Sequence, residues 1–469
     1  MPLRVLTFCL VILSSWAWAD DRPNVLFIAV DDLRDELGCY GASHIHSPHI
    51  DRLAARGIRF TRAYVQQALC GPSRNSVFSG ARPDTTRVFN GKTHFREALP
   101  DIVSLPQLFK EHGYYTRSLG KILHHNGQDD PDAFTEPRFF PTKGIYAHPE
   151  NTGRRIVMDQ SQENRNPLTE RADVPDHAYR DGMVADEAVK TLRQVKDRPF
   201  MLMVGFFKPH TPFNAPAKYW DLYDPEQLDL APNAFAPAGV PDLAMSGFNY
   251  VRSFSDFPDE LPVPDDVARR TKHAYYACVS FVDAQVGRVL DELKRLGLDK
   301  NTVVVLWSDH GYQLGEHGMW CKHTNFETST RAPMILSVPG QRKGLVSDAL
   351  VEMVDIYPTL AEAAGLPLPD HLEGTSLLPL LKDPSRPWKK AAFSQYQRGK
   401  VMGRSVRTDR YRYNEWRQND GRLIARELYD HAGDPYENFN LAVLDGSREV
   451  MERLSAELKA GWKAARPHQ

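Results

Sequence analysis

Cysteine is scarce in this sequence, with five residues in 469, and one of them, Cys9, falls in an N-terminal apolar run. The spacing of the other four matches no zinc-binding pattern, and four cysteines are too few for a disulfide framework. We therefore expect Cys39, Cys278 and Cys321 to be packed or partly exposed thiols. The remaining cysteine, Cys70, lies in a distinctive motif.

An excess of either charge is also absent. The chain has 58 Lys and Arg against 60 Asp and Glu, a net charge of −2, and no block of like charges. This balance argues against nucleic acid or an anionic membrane surface as the main partner. Beyond residue 19 no apolar run is long enough to cross a bilayer, so we expect no membrane span.

The first nineteen residues have the three parts of a secretory signal peptide. Arg4 precedes an apolar run at 5–13, and Ala17-Trp18-Ala19 forms a small-x-small cleavage site before Asp20. The small residues of a lipoprotein site are missing around Cys9, so no lipid anchor is expected. This pattern predicts a signal peptide at 1–19 and an exported protein, periplasmic or secreted.

Short strands followed by polar residues recur along the chain. They are predicted at 24–30, 58–64, 114–119, 199–207, 301–307 and 333–338. The first is an apolar run without alternation, typical of a strand buried on both faces of a parallel sheet. It ends in Asp31-Asp32, at the edge of an α/β sheet that lines the ligand crevice, where two carboxylates are well placed to hold a cation. The alternative for paired aspartates is a turn or a helix cap.

About 450 mature residues exceed what one core usually supports, so a large domain and a smaller one are expected, at 20–381 and 382–469. Helices are predicted at 47–57, from Cys70 onward, and at 104–113, 264–296, 355–364 and 448–464, and long loops at 129–176 and 225–265. The helix at 264–296 has one apolar face that is predicted to lie in the core: Tyr275, Val279, Val282, Val286 and Leu290. Short alternating strands at 392–396, 403–416 and 427–429 indicate a C-terminal α+β unit. Its charged stretch could lie on a strand surface or on the rim of a substrate pocket: Arg407, Asp409, Tyr411 and Arg412.

The segment Cys70-Gly71-Pro72-Ser73-Arg74 resembles the site at which sulfatases convert a cysteine to Cα-formylglycine. Ser79 departs from the pattern, since threonine is usual before the glycine. The alternative for an isolated cysteine is a small buried hydrophobic residue. The resemblance implies a formylglycine-generating or other sulfatase-maturing enzyme as partner, an aldehyde hydrate as nucleophile, and Arg74 beside it.

Further segments resemble the same family. Gly120-Lys121-Ile122-Leu123-His124 is close to the second sulfatase signature, although Leu119 and Leu123 are slightly off the usual residues. The resemblance implies that Lys121 neutralises a sulfate oxygen or the hydrate and that His124 takes the hydrate proton. At a strand end, a lysine and a histidine are otherwise solvated loop residues.

Three other segments resemble the iduronate-2-sulfatase branch: Lys208-Pro209-His210-Thr211-Pro212, Asp309-His310 and Trp320-Cys321-Lys322. There the histidine matching His210 contacts sulfate and can protonate the leaving oxygen, and the lysine matching Lys322 bridges sulfate and nucleophile. The resemblance implies metal ligation by Asp31, Asp32, Cys70, Asp309 and His310. Such an oxygen-rich set favours Ca²⁺, with Mg²⁺, Mn²⁺ and Zn²⁺ as alternatives.

Together these resemblances imply the alkaline-phosphatase-like sulfatase fold, a large, mostly parallel sheet between helices, with a smaller C-terminal domain. The implied substrate is a sulfated carbohydrate, a 2-O-sulfated uronic acid or another sulfated polysaccharide. A phosphonate monoester or phosphodiester hydrolase of the same superfamily is the first alternative, and His210 and Lys322 favour sulfate over it. A non-enzymatic carbohydrate-binding protein is the second.

Overall fold

Strands and helices alternate through most of the chain, in a computed structural model that describes residues 22–124, 127–152, 165–246, 250–259 and 261–467. The predicted signal peptide, 1–19, lies outside the described residues. The strands in chain order are β1 (Asn24–Asp31), β2 (Ile58–Phe60), β3 (Ala63–Tyr64), β4 (Tyr115–Gly120), β5 (Thr169–Ala172), β6 (Phe200–Pro209), β7 (Phe213–Pro216), β8 (Thr302–Ser308), β9 (Met334–Ser337), β10 (Leu345–Ser347), β11 (Val351–Glu352), β12 (Ala392–Arg398), β13 (Val401–Arg407), β14 (Tyr411–Gln418) and β15 (Leu423–Asp430).

The helices are α1 (Pro48–Ala54), α2 (Cys70–Ser79), α3 (Pro83–Thr86), α4 (Phe95–Ala98), α5 (Leu105–Glu111), α6 (Pro149–Thr152), α7 (Arg180–Val195), α8 (Ala217–Trp220), α9 (Asp265–Arg295), α10 (Glu327–Thr330), α11 (Ile356–Ala363), α12 (Leu378–Lys382) and α13 (Arg448–Ala465). The predicted boundary between 381 and 382 falls in the last turn of α12 and stays a prediction. None of the helices in the described ranges is long and apolar enough to cross a membrane.

A seven-stranded sheet with the order β10-β2-β9-β8-β1-β6-β4 forms the centre of the larger part. Strand β1 lies between β8 and β6 and runs parallel to both, and β4 is parallel to β6. Strand β9 is antiparallel to β8 and β2, so the sheet is mixed rather than wholly parallel. The four strands that the site uses, β8, β1, β6 and β4, therefore point the same way.

Each face of this sheet is covered by a separate hydrophobic core. Alternate residues of β1 enter the two cores: Leu26, Ile28 and Val30 on one side, and Val25, Phe27 and Ala29 on the other. Burial of both faces explains why the sequence of β1 is apolar without alternation. Helix α9 supplies the apolar face expected of it, since Tyr275, Val279, Val282, Val286 and Leu290 all lie in the first core.

The C-terminal part is a four-stranded antiparallel sheet, β12 to β15, with α13 packed against it. The predicted strand region 403–416 is divided between β13 and β14, which pair as a hairpin. The predicted strand at 58–64 is likewise wrong as a single element, because β2 pairs in the central sheet whereas β3 pairs with β11. The loop expected at 129–176 contains β5, which pairs with β7.

Candidate active site

The carboxyl ends of β1, β4, β6 and β8 meet at one edge of the central sheet. Residues that the sequence singled out lie at the end of these strands or shortly after it: Asp31 and Asp32, Lys121 and His124, His210, and Asp309 and His310. Helix α2 begins at this edge with Cys70, and all ten of its residues are buried. The sheet topology therefore brings together side chains that lie far apart in the sequence.

Cys70 is surrounded by acidic and imidazole groups. Its Sγ lies 3.5 Å from Asp31 Oδ1, 3.9 Å from Asp32 Oδ1 and 3.3 Å from His310 Nε2. The ligand atoms of Asp32, Cys70, Asp309 and His310 lie within 4.8 Å of one another, and so do those of Asp31, Asp32, Cys70 and His210. The predicted ligand set thus converges on one small volume.

The donor set fits a divalent cation. His310 Nδ1 lies 2.9 Å from the Gly311 carbonyl oxygen, so this nitrogen carries the proton and donates it. His310 Nε2 lies 3.3 Å from Asp32 Oδ1 and 3.8 Å from Asp309 Oδ1, so it faces the same small volume as the carboxylates. Three carboxylates with one imidazole form a donor set that can hold a divalent cation.

The backbone around Asp32 is held in an unusual conformation. Asp32 has a φ of 61°, which non-glycine residues seldom adopt. Its N–H donates to Asp309 Oδ1 at 3.1 Å, and its carbonyl accepts from the Tyr275 hydroxyl at 2.7 Å. Tyr275, predicted only as a core residue, therefore supports the site from α9.

Three cations offset the acidic groups. Arg74 donates from Nε to Asp309 Oδ2 at 2.8 Å and from Nη2 to Asp31 Oδ1 at 3.0 Å. Lys121 pairs with Asp31, and Lys322 Nζ lies 2.5 Å from Asp32 Oδ2.

The two neighbouring aspartates differ in how far these cations act on them. Burial would raise the pKa of Asp31, but the charges of Lys121 and Arg74 hold it well below its usual value. Burial also raises the pKa of Asp32, and Lys322 and His310 offset this only in part. A bound divalent cation would favour the ionised form of both carboxyl groups.

The Cys70 thiol itself is poorly suited to attack an ester. Burial and the charges of Asp309 and Asp31 raise its pKa well above the usual value, so the thiol stays protonated.

Gly71 allows the start of α2 to approach the segment around Asn90 closely, since a Cβ on Gly71 would lie 2.5 Å from the Asn90 carbonyl oxygen.

His210 lies at the rim of the cluster, with Nε2 4.0 Å from Asp32 Oδ2. Its Nδ1 lies 2.7 Å from the Thr211 carbonyl oxygen, to which it donates. Lys208 closes the turn that carries it, because the buried Nζ donates to the Pro212 carbonyl. Burial, Lys322 and Lys121 lower the pKa of His210, so the imidazole is neutral in the free protein.

His124 is placed less directly. Gly91 lies between it and the start of α2: a Cβ on Gly91 would come within 3.0 Å of His124 Cε1, and a Cβ on Gly71 would come within 3.0 Å of Gly91 Cα. This brings His124 close to the cysteine segment, and its role stays a prediction.

The two arginines of the charged stretch, Arg407 and Arg412, are buried, so they lie neither on a strand surface nor on the rim of a pocket. Arg412 is fully buried, donating to Glu437 Oε1 at 2.6 Å and Glu327 Oε2 at 2.5 Å, and Arg407 Nε lies 3.1 Å from Glu327 Oε2. Asp409, in contrast, is exposed and pairs with Arg62. Through Glu327, the first residue of α10, the two arginines therefore connect the C-terminal sheet to the larger part of the molecule.

Comparison with known proteins agrees with this geometry. Residues 23–366 match the Sulfatase family, and residues 315–464 match the family described as N-sulphoglucosamine sulphohydrolase, C-terminal. The iduronate 2-sulfatase of Mus musculus is 34% identical, over 93% of this chain and 94% of that protein.

Two solved structures share the fold. The phosphonate monoester hydrolase of Agrobacterium radiobacter has a TM-score of 0.79 at 25% identity, covering 94% of this chain and 96% of that one. A protein in complex with its substrate D-glucosamine-2-N,6-O-disulfate has a TM-score of 0.74 at 22% identity, covering 94% and 99%.

Proposed function

The chain belongs to the sulfatase family, as a sulfuric ester hydrolase of the iduronate-2-sulfatase branch with the alkaline-phosphatase-like sulfatase fold, and from this premise we propose its specific reaction. It removes the 2-O-sulfate of a uronic acid in a sulfated carbohydrate, using a formylglycine hydrate made from Cys70. The observation that carries this proposal is the position of Cys70, buried at the meeting point of three carboxylates, His310 and two lysines.

The hydrate supplies two hydroxyl groups on one carbon. In the first step one hydroxyl loses its proton to solvent and its oxygen attacks sulfur, while the bond from sulfur to the sugar oxygen breaks and the sugar oxygen takes up a proton. In the second step the other hydroxyl loses its proton, the aldehyde reforms, and the bond from its carbon to the sulfate oxygen breaks. A serine hydroxyl could perform only the first step.

The cations around Cys70 fit the charge of the substrate. Lys121 Nζ lies 3.7 Å from Cys70 Sγ, within reach of a sulfate attached at that atom's position. Lys322 approaches from the side of Asp32, and Arg74 orients Asp31 and Asp309. Oriented cations of this kind stabilise the negative charge of the sulfuryl oxygens in the transition state.

His210 is the group we assign to protonate the leaving oxygen, and His124 the group that takes the hydrate proton. In the free protein His210 Nδ1 donates to the Thr211 carbonyl, which leaves Nε2 without a proton in the neutral ring. The negative charge of a bound sulfate ester would raise the pKa of His210, and Nε2 would then carry the proton that the sugar oxygen needs.

Asp31, Asp32, Asp309, His310 and the converted Cys70 would hold the metal, for which we propose Ca²⁺, with Mg²⁺, Mn²⁺ and Zn²⁺ as the alternatives. When bound, such an ion supplies Lewis-acid polarisation of the oxygens at the site. The proposal also includes a signal peptide at 1–19, export to the periplasm or medium, and a maturing enzyme that acts on Cys70.

The second candidate function is phosphonate monoester or phosphodiester hydrolysis, which the similarity to the Agrobacterium radiobacter enzyme supports. The pairing of Lys322 with Asp32, together with His210 at the rim, supports sulfate instead. Another sulfated polysaccharide is the third candidate.

A substrate panel tests these candidates. It contains a 2-O-sulfated uronic acid disaccharide, a 6-O-sulfated hexosamine, a sulfated galactan fragment, an aryl sulfate and a phosphonate monoester. We expect the highest kcat/KM on the uronate. If the hexosamine or the galactan is preferred, the sugar assignment is wrong, and preferred turnover of the phosphonate would refute the sulfate assignment as well.

A further inference from the structure

Arg398, at the end of β12, is a half-buried arginine whose hydrogen bonds go to carbonyl groups. Its Nε donates to Leu243 at 3.3 Å, and its Nη2 donates to Met245 at 3.2 Å and to the His323 carbonyl. Among the residues described, no carboxylate lies within 4.0 Å of this guanidinium, and Nη1 donates to none of their carbonyls. Arg412, in the same sheet, has two carboxylate partners.

The position of Arg398 connects it to the sulfate-facing side of the site. The carbonyl that accepts from Nη2 belongs to His323, which directly follows Lys322. The N–H of His323 donates to the Ala68 carbonyl at 3.3 Å, two residues before Cys70. Arg398 is therefore linked through one residue to a lysine that lies 2.5 Å from Asp32.

His323 has a backbone conformation that suggests a constraint at this point. Its φ is 69°, in the left-handed region, which is strained for a non-glycine residue and is tolerated mainly at functional sites. Its ring lies against Tyr396, with centroids 5.8 Å apart, and the Arg398 guanidinium lies 4.5 Å from the centre of the same tyrosine ring. These contacts hold the guanidinium against the residue that follows Lys322.

Carbonyl groups satisfy hydrogen-bond donors of Arg398 but do not neutralise its charge, so a bound anion would complement it. The planar guanidinium donates in pairs to a carboxylate, which makes arginine well suited to recognise this group. A uronic acid carries a carboxylate besides its sulfate, and the sulfate is already matched by Lys121 and Lys322. Arg398 can then match the second negative charge of such a substrate, its carboxylate.

We propose that Arg398, held by the His323 carbonyl and the Tyr396 ring, binds the carboxylate of the uronic acid whose sulfate faces Cys70. This inference rests on the proposed function and adds a specificity-determining residue to it. A second sulfate group on a neighbouring sugar offers similar chemistry, so the test must separate the two anions.

The test compares wild type, Arg398→Gln and Arg398→Lys on three substrates with the same 2-O-sulfate. The first keeps the carboxylate and has no other sulfate, the second has the carboxylate reduced to a hydroxymethyl group, and the third adds a hexosamine 6-O-sulfate to the reduced compound. Arg404→Gln is the matched control, because Arg404 lies on the neighbouring strand β13 and pairs at the surface with Asp84.

For Arg398→Gln we expect kcat/KM on the carboxylated substrate to fall about 10- to 100-fold, mainly through KM, as for loss of a charged hydrogen-bonded pair. On the reduced substrate the same variant should stay within about threefold of wild type. Arg398→Lys should show a smaller loss, and Arg404→Gln none.

Equal losses on the carboxylated and reduced substrates would overturn the inference, because they indicate a purely structural role. Unchanged kinetics on the carboxylated substrate would also overturn it, and a loss confined to the 6-O-sulfated compound would assign Arg398 to a second sulfate instead. A wild-type enzyme that turns over an aryl sulfate but no uronate sulfate would refute the proposed function itself.

Discussion

Replacing Glu327 by glutamine should destabilise the protein by about 3 to 5 kcal/mol, the usual cost of removing one partner of a buried ion pair. Glu327 begins α10, only a few residues after Lys322, and is the acceptor for two arginines of the C-terminal sheet. It also accepts from the Tyr64 hydroxyl at 2.9 Å. The Glu327 carboxylate therefore connects three segments: the loop that carries Lys322, strand β3 and the C-terminal sheet.

The magnitude follows from burial and from the number of partners. Arg412 is fully buried and shares its charge between Glu327 and Glu437, so the substitution leaves it with one carboxylate. Burial would raise the pKa of Glu327, but Arg407 and Arg412 hold it well below its usual value, so the carboxylate is ionised at neutral pH. Glutamine keeps the shape of the side chain and removes only this charge.

Urea denaturation and thermal melts measure the effect. The matched control is Asp84→Asn, which breaks a surface pair with Arg404 whose side chains are 46% and 44% exposed, and should cost about 0 to 1 kcal/mol. The double variant Glu327→Gln with Arg412→Met should lose less stability than the sum of the single variants, because the two groups interact. Equal midpoints for Glu327→Gln and Asp84→Asn would refute the reasoning.

Three further predictions test other parts of the structure. Millimolar Ca²⁺ should raise the Tm of the chelated protein, since a ligand that binds only the folded state stabilises it, and an equal rise in the Asp31→Asn, Asp309→Asn double variant would count against the site. Asp283 accepts from the N–H groups of His49 and Ile50, and burial raises its pKa from 3.8 to about 7, so the stability it contributes is full below pH 3.8 and lost as pH rises through about 7. Asp283→Asn should therefore flatten the fall in Tm from about pH 4 to about pH 8, and an unchanged slope would contradict this. Cys70→Ser should lose nearly all turnover in a host that converts only cysteine while keeping its Tm, and retained multiple turnover would contradict the need for a hydrate.

The sequence could place the proposed ligand residues at one edge of the sheet because each comes at the end of a predicted strand. Asp31, Asp32, Asp309 and His310 come directly after apolar runs, and parallel strands end at one edge. The start of α2 at Cys70 was predictable for a similar reason, since the motif opens a helix just after a short strand. At these positions the local sequence pattern and the order of the parallel strands predict the same location.

Other features depend on contacts between distant segments, which no local pattern encodes. The bend between β2 and β3 arises because each pairs with a different strand, and β9 lies antiparallel because of its neighbours β8 and β2. The carboxylate partners of Arg407 and Arg412 lie elsewhere in the chain. The sequence alone therefore did not distinguish these two buried arginines from exposed charges on a strand.

The contacts of Arg398 are likewise not predictable from the local sequence. Its sequence context is an alternating strand end, and only the fold shows that its guanidinium contacts the residue after Lys322. Tyr275 was predicted as a core residue from its helical spacing, and its burial agrees, but its hydroxyl also donates to Asp32. Spacing predicts which side chains are buried, whereas it does not predict what their polar atoms contact.

The mass of the tryptic peptide 63–74, taken from enzyme with measured turnover, tests the central claim most directly. This peptide contains Cys70 and ends at Arg74. Conversion of the thiol to the aldehyde predicts a loss of about 18 Da relative to the unmodified peptide, with the hydrate as a second form. Fully active enzyme whose peptide carries only the unmodified thiol would contradict the proposed mechanism.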